Sequence, residues 1–224
     1  MDLTLLSSPG QTPVQDVVAA ARPYLARHPQ PVVAYLPVAA SGDQFVALTR
    51  AAFQELATVE LLDVERTASI AVEAALDRAT VLYLPGGNTY LLTHRLHQHG
   101  LIDSIRRRVR DGLPLVGFSA GAISCGVDIL TCGSMNCCAT THFTALGLVP
   151  YNVVAHCPPA DSPAHAELAQ HIGEYHLFHA VPVLALEDGA CLQVTGESIR
   201  LARGACWCFE PDTPPRKLMR GRIP

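Results

Sequence analysis

Five short apolar runs, Leu3–Ser7, Pro31–Pro37, Val59–Val64, Thr80–Leu84 and Leu113–Phe118, divide the first half of the chain. Between them lie stretches of helical periodicity: near Pro13–Arg27, over Asp43–Leu56 and Thr67–Ala79, from the turn Pro85-Gly86-Gly87-Asn88 to about His97, and through the basic segment Ile102–Arg110. Strands that are apolar throughout must be buried on both faces, and alternation with helices supplies the cover. The pattern predicts an α/β fold: an open, mostly parallel sheet with helices on both faces. After Gly147 the rhythm changes. Val149–Ala155, Val181–Leu186, Cys191–Thr195 and Ser198–Ala202 read as strands, with one helix near Pro163–Glu174. The short spacings after Val181 predict antiparallel hairpins at the sheet edge. No Ser-rich or Pro-rich linker precedes Pro211, so residues 1–210 read as one catalytic-sized domain and 211–224 as a C-terminal tail.

Composition narrows the function classes. Hydrophobic residues make up 49% of the 224 and charged residues 16%, which excludes intrinsic disorder. The 16 Lys and Arg are outnumbered by 20 Asp and Glu, for a net charge of -4, so no cationic excess exists to neutralise nucleic-acid phosphates. No apolar run reaches the ~18 residues of a membrane span, and Met1–Leu6 lacks the basic region and cleavage site of a signal peptide. A cytoplasmic setting, with the eight cysteines as thiols, is the expectation. Cys132, Cys137, Cys138, Cys206 and Cys208 do not form paired C-x-x-C knuckles, so no metal and no other cofactor is expected.

The sharpest motif is Gly117-Phe118-Ser119-Ala120-Gly121, a G-x-S-x-G between the predicted strand Leu113–Phe118 and a predicted helix Ala120–Val127. A tight strand-to-helix turn demands small flanking residues and lifts the serine hydroxyl above the sheet. The bland alternative is a Gly-rich helix start carrying an ordinary serine. As a nucleophile, Ser119 would have the Ala120 N–H beside it to stabilise a developing oxyanion. A second Gly-rich turn, Leu84–Thr89, also joins a strand to a helix. Its Gly86 and Gly87 let backbone N–H groups approach a substrate carbonyl closely and complete an oxyanion hole, with Gly86 and Asn88 against the substrate. It matches neither phosphate-binding glycine motif.

A serine nucleophile requires a base, and ten histidines are available. His156 stands out because it ends the apolar strand Val153-Val154-Ala155 beside a Pro-rich loop, where a sheet presents active-site groups. The acid that orients it lies at another strand end, Glu187-Asp188-Gly189, with Asp188 favoured and Glu187 a competitor one residue earlier.

Taken with Ala185–Gly189 and the strand ending at His156, these glycine motifs resemble peptidase family S51, the family of aspartyl dipeptidases and cyanophycinases. The resemblance runs from about Leu3 to Phe209. It implies a fold like that of class I glutamine amidotransferases and a serine peptidase, dipeptidase-like, acting on short peptides through an acyl-enzyme. Its nucleophile, histidine and acid fall on Ser119, His156 and Asp188, and its oxyanion donors on Gly87 and Ala120. An esterase or amidase using the same triad, or a binding protein on the same scaffold, are the alternatives. A homodimer is compatible with all three.

Two departures from the family pattern bear on specificity. The histidine there follows Asn-Pro, whereas here Val154-Ala155 precede it. The family's Gly-Glu-Thr-Arg segment, whose arginine is associated with an acidic substrate side chain, is replaced by Ala160–His165, and no arginine occurs until Arg200. Strict preference for an N-terminal aspartate is therefore not expected, unless His165, His171, Arg50 or Arg95 reaches the pocket.

Overall fold

The computed structural model describes residues 1–7, 13–39 and 44–223. The elements in chain order begin with β1 (Asp2–Leu6), α1 (Pro13–Leu25), β2 (Val32–Tyr35), α2 (Gln44–Phe53), β3 (Thr58–Leu61), α3 (Ser69–Arg78) and β4 (Val81–Leu84). They continue with α4 (Thr89–Gln98), α5 (Leu101–Arg110), β5 (Leu115–Phe118), α6 (Ala120–Ile123), β6 (Asn152–Cys157) and α7 (Pro163–His176). The chain ends with β7 (Val183–Glu187), β8 (Cys191–Thr195), β9 (Ser198–Arg203), β10 (Cys206–Phe209), β11 (Arg216–Leu218) and β12 (Gly221–Arg222). Asp43, the expected start of the second helix, lies outside the described residues.

The main sheet has eight strands in the order β12-β9-β8-β1-β5-β4-β2-β3. From β1 to β3 all pairings are parallel, and β8, β9 and β12 add antiparallel strands on the other side of β1. Every residue of β4 is buried, as a strand covered on both faces requires. The covering helices show why they pack. In α5, Leu101, Ile102, Ile105 and Val109 are buried on one side, whereas Arg107 and Arg110 stay toward solvent. The α/β architecture with antiparallel edge strands is thus as the alternation predicts.

Three features differ from the sequence reading. First, Val181–Leu186 does not join the edge of the main sheet: β7 lies in a separate sheet ordered β11-β10-β7-β6. Two of the crossings between the sheets, from β7 to β8 and from β9 to β10, are glycine turns, Gly189 (φ 80°) and Gly204 (φ 76°). A Cβ on Gly204 would lie 2.7 Å from the Ala190 Cα, so these two crossings pack on each other. The second sheet has its own apolar core, where Val154, Val183, Ala185 and Phe209 meet Ile172 and Tyr175 of α7. Second, the helix expected over Ala120–Val127 ends at Ile123. Gly126 packs so closely on Tyr151 that a Cβ there would be 2.8 Å from the carbonyl oxygen, and Val127 N–H donates to that same oxygen. Third, residues 211–224, expected as a tail, carry β11 and β12, which pair with β10 and β9, and Ile223 is buried.

Register sets the ends of the central strands level. Leu6 pairs with Phe118, and Leu84 with Gly117. The carboxyl ends of β1, β4 and β5 therefore open together, which is where an open α/β sheet places a ligand crevice.

Candidate active site

Ser119 stands between β5 and α6 with φ 50° and ψ −110°. A non-glycine residue held in such a region costs about 1–3 kcal/mol. The surroundings hold it there: Ser119 N–H donates to Leu6 O at 2.8 Å, and Gly121 N–H to Pro85 O at 3.1 Å. Glycine at 121 is a steric necessity, since a Cβ would come within 2.1 Å of Leu84 O. The small residues of the motif thus let the elbow press against the end of β4.

His156 arrives from the other sheet. The pairing of β6 with β7 slips between Val154 and Cys157, and His156 occupies the irregularity with φ 59°. A bulge of this kind re-aims a side chain. Val154, Ala155 and Cys157 are buried, but the His156 side chain is 49% exposed and turned toward the elbow. Its Nε2 lies 2.8 Å from Ser119 Oγ. Its Nδ1 lies 2.9 Å from Asp188 Oδ1. A carboxylate only accepts, so Nδ1 carries the hydrogen and Nε2 is left to accept from the serine hydroxyl.

Asp188 sits in the turn that carries the chain from β7 to β8, and its side chain is 66% exposed. Glu187 points elsewhere: Oε1 accepts from Trp207 Nε1 at 3.1 Å and pairs with Lys217 Nζ at 2.7 Å. The neighbouring carboxylates therefore have different surroundings, one at the histidine and one in the second sheet.

The remaining candidates lie around Ser119. Ala120 opens α6, so its N–H has no partner within the helix. Gly86 is adjacent, because a Cβ on it would lie 2.9 Å from the Phe118 ring and 3.3 Å from Ser119 Cβ. Gly87 has φ 141°, and a side chain there would meet Ala39 O at 2.3 Å. Asn88 is engaged in holding this turn. Its N–H donates to Ala39 O, its Oδ1 caps α4 by accepting from Leu91 N–H, and its Nδ2 donates to Met135 O.

One residue of this site escaped the sequence reading. Ser7, fully buried at the end of β1, accepts from His156 N–H at 2.8 Å and donates to Leu186 O at 3.1 Å through the same hydroxyl. It joins the main sheet to both strands of the second sheet that carry the histidine and the acid. The only signal in the sequence is a serine closing an apolar strand, which is too common to single out.

The other groups considered for an acidic substrate have contacts of their own elsewhere. His165 packs on Trp207 with ring centroids 4.8 Å apart, and its Nδ1 lies 3.1 Å from Pro158 O. The His171 ring reaches Leu130 O. Arg95 binds Val38 O and pairs with Glu65 at 2.7 Å. Arg50 lines a separate hollow beside β3. No helix among the described residues is long and apolar enough to cross a membrane.

The peptidase family S51 model matches residues 3–202. A protein named Peptidase E from Shewanella denitrificans is 29% identical over 172 residues, covering 75% of this chain and 72% of that protein. A Drosophila melanogaster protein named "Probable alpha-aspartyl dipeptidase" is 37% identical over 129 residues, which span 56% of this chain and 54% of the relative. Among solved structures, a peptidase from an acI-B1 Actinobacterium superposes with a TM-score of 0.70 at 18% identity, over 99% of this chain and 96% of that one. A protein from Listeria monocytogenes EGD-e gives 0.69 at 22% identity, over 88% and 96%. At these identities the solved structures speak for the fold. The family match, running from β1 into β9 and across the serine elbow, makes this chain a serine peptidase of family S51.

Proposed function

We propose that this enzyme is a dipeptidase-like hydrolase of short peptides that works through an acyl-enzyme on Ser119. The observation that carries the reading is the unbroken relay of contacts from Ser119 Oγ to His156 Nε2, 2.8 Å, and from His156 Nδ1 to Asp188 Oδ1, 2.9 Å. His156 takes the serine proton as Oγ attacks the peptide carbonyl, and Asp188 stabilises the imidazolium that forms. The Gly87 and Ala120 N–H groups receive the oxyanion. Collapse of the tetrahedral intermediate expels the amine, to which His156 returns the proton, and water then repeats the sequence to release the acid. The preference for dipeptides rests on the names of the relatives. The eight free thiols suit a reducing, cytoplasmic compartment.

A fluorophosphonate probe with a dipeptide-library digest tests the reading. The wild type should label at Ser119 and release free amino acids. Ser119→Ala and His156→Ala should each lose about 10⁴-fold or more in kcat, because such residues act as a unit. His165→Ala and His179→Ala should retain activity, as these rings pack on Trp207 and Tyr175. Equal loss at His165 with little loss at His156 would overturn the assignment of the base, and cleavage of esters but no peptide would overturn the peptidase.

A further inference from the structure

A cavity of about 540 Å³ opens directly at the nucleophile, lined by Gly86, Gly87, Phe118 and Ser119 at one end. Its wall also takes in Tyr35 and Tyr83, Phe45, Leu48, Thr49 and Ala52 of α2, and Val14 and the polar Gln15 of α1. The two tyrosine rings stack at 5.2 Å with an 18° angle. Thr49, the polar side chain α2 contributes to the wall, turns its hydroxyl to Phe45 O at 2.7 Å, and the Tyr35 phenol bonds that threonine. Phe45 and Leu48 are about half exposed, 48% and 55%, an unusual state for large apolar side chains beside a catalytic serine.

The described wall of the cavity carries no cation. No lysine, arginine or histidine stands among its described lining residues, and residues 8–12, 40–43 and 224 include none in sequence. A carboxylate placed here would lose hydration and meet no opposite charge among the described lining residues, with only neutral donors such as the Gln15 amide in reach of the cavity. An apolar or aromatic side chain would lose only contact with water, which favours it.

The position of the cavity indicates which residue of the substrate enters. His156 protonates the leaving amine, so the leaving group departs on the histidine side. Neither His156 nor Asp188 lines the cavity, whereas the glycines of the expected oxyanion turn do. It therefore faces the acyl half of the scissile bond. The geometry points to this cavity as the binding site for the side chain of the acyl residue, and to large apolar or aromatic residues, not aspartate, as the class it accepts. This inference rests on the serine-peptidase reading and adds the substrate class to it.

Diphenyl phosphonates that mimic the acyl residue test it without requiring peptide turnover. The Ser119 oxygen forms a bond to phosphorus, phenoxide leaves, and His156 takes the serine proton. Reagents carrying benzyl, isobutyl, methyl and carboxymethyl side chains are compared by their second-order rates at Ser119, read by intact mass. Benzyl and isobutyl should exceed carboxymethyl by at least about tenfold. Two variants at the cavity wall then separate binding there from general reagent hydrophobicity. Leu48→Arg, at a half-exposed position, should reverse the order toward carboxymethyl, and Ala52→Phe should slow benzyl while sparing methyl. A carboxymethyl reagent as fast as benzyl, or wild-type rank order in both variants, overturns the inference and leaves the serine assignment standing. No labelling of Ser119 by any reagent overturns both, and folded protein by circular dichroism distinguishes that result from misfolding.

Discussion

Replacing Ser7 with alanine should disable the enzyme without touching any residue of the proposed relay. The Ser7 hydroxyl is fully buried and makes two contacts at once, with His156 N–H at 2.8 Å and Leu186 O at 3.1 Å. Alanine would leave both groups without that partner, and each unsatisfied buried group costs about 1–3 kcal/mol. A total near 3 kcal/mol corresponds to a fall in Tm of roughly 6–12 °C for a chain of this size. The effect on rate has a separate cause. His156 is held at φ 59° in a bulge, and the Ser7 contact fixes its backbone relative to the elbow. A misplacement of about 1 Å in a reacting group can cost about 10²-fold, so kcat should fall by about 10- to 100-fold with KM little changed. The assay is steady-state kinetics on one well-cleaved dipeptide, well below the lowered Tm. Ser104→Ala is the control, since its buried hydroxyl also makes two contacts, with Glu73 and Arg108, on α5. It should lower Tm and leave kcat unchanged. A Ser7→Ala enzyme with kcat within about twofold of wild type, despite a comparable fall in Tm, would refute the argument that this hydroxyl positions the histidine.

Two other expectations can be checked directly. Asp188→Asn should lower kcat by about 10²- to 10⁴-fold by disturbing the histidine tautomer, whereas Glu187→Gln should cost about 1 kcal/mol of stability or less through its partly exposed pair with Lys217. Kinetics and thermal melts on the two variants separate them, and the reverse pattern would transfer the role to Glu187. Alkylation at pH 7.5 followed by mass mapping should modify exposed Cys137 and half-buried Cys138 in the native protein. Burial pushes the Cys157 and Cys191 thiols up to about 11 and Cys206 up to about 12, so these stay protonated and unreactive until the chain unfolds. Labelling of Cys157 at the rate of Cys137 would show that the strand carrying His156 opens readily.

Local chemistry made part of this protein legible from its residues alone. The alternation of apolar runs and helical spacing carried the main sheet, because a strand buried on both faces must be apolar throughout whatever its neighbours are. The elbow was legible for a similar reason: Gly117 and Gly121 flank Ser119 within two residues, and the tight turn explains both. Strand ends pointed to His156 and Asp188 among ten histidines and many acids, and the structure brings those two side chains within hydrogen-bond distance of each other.

What depended on distant contacts was not written locally. The second sheet follows from two glycine turns packing on each other and from α7 covering its own apolar cluster. The end of α6 at Ile123 is imposed by the approach of Tyr151, not by any residue that disfavours helix. Asn88 and Glu187 have side-chain partners 47 and 20 residues away, and those partners decide what each side chain does. Ser7 meets His156 across 149 residues and Leu186 across 179. The apolar cavity brings Tyr35, Tyr83 and one face of α2 to the serine. Periodicity can say that such residues are buried or half-buried, but only the packing of one element on another determines that they face the same bond.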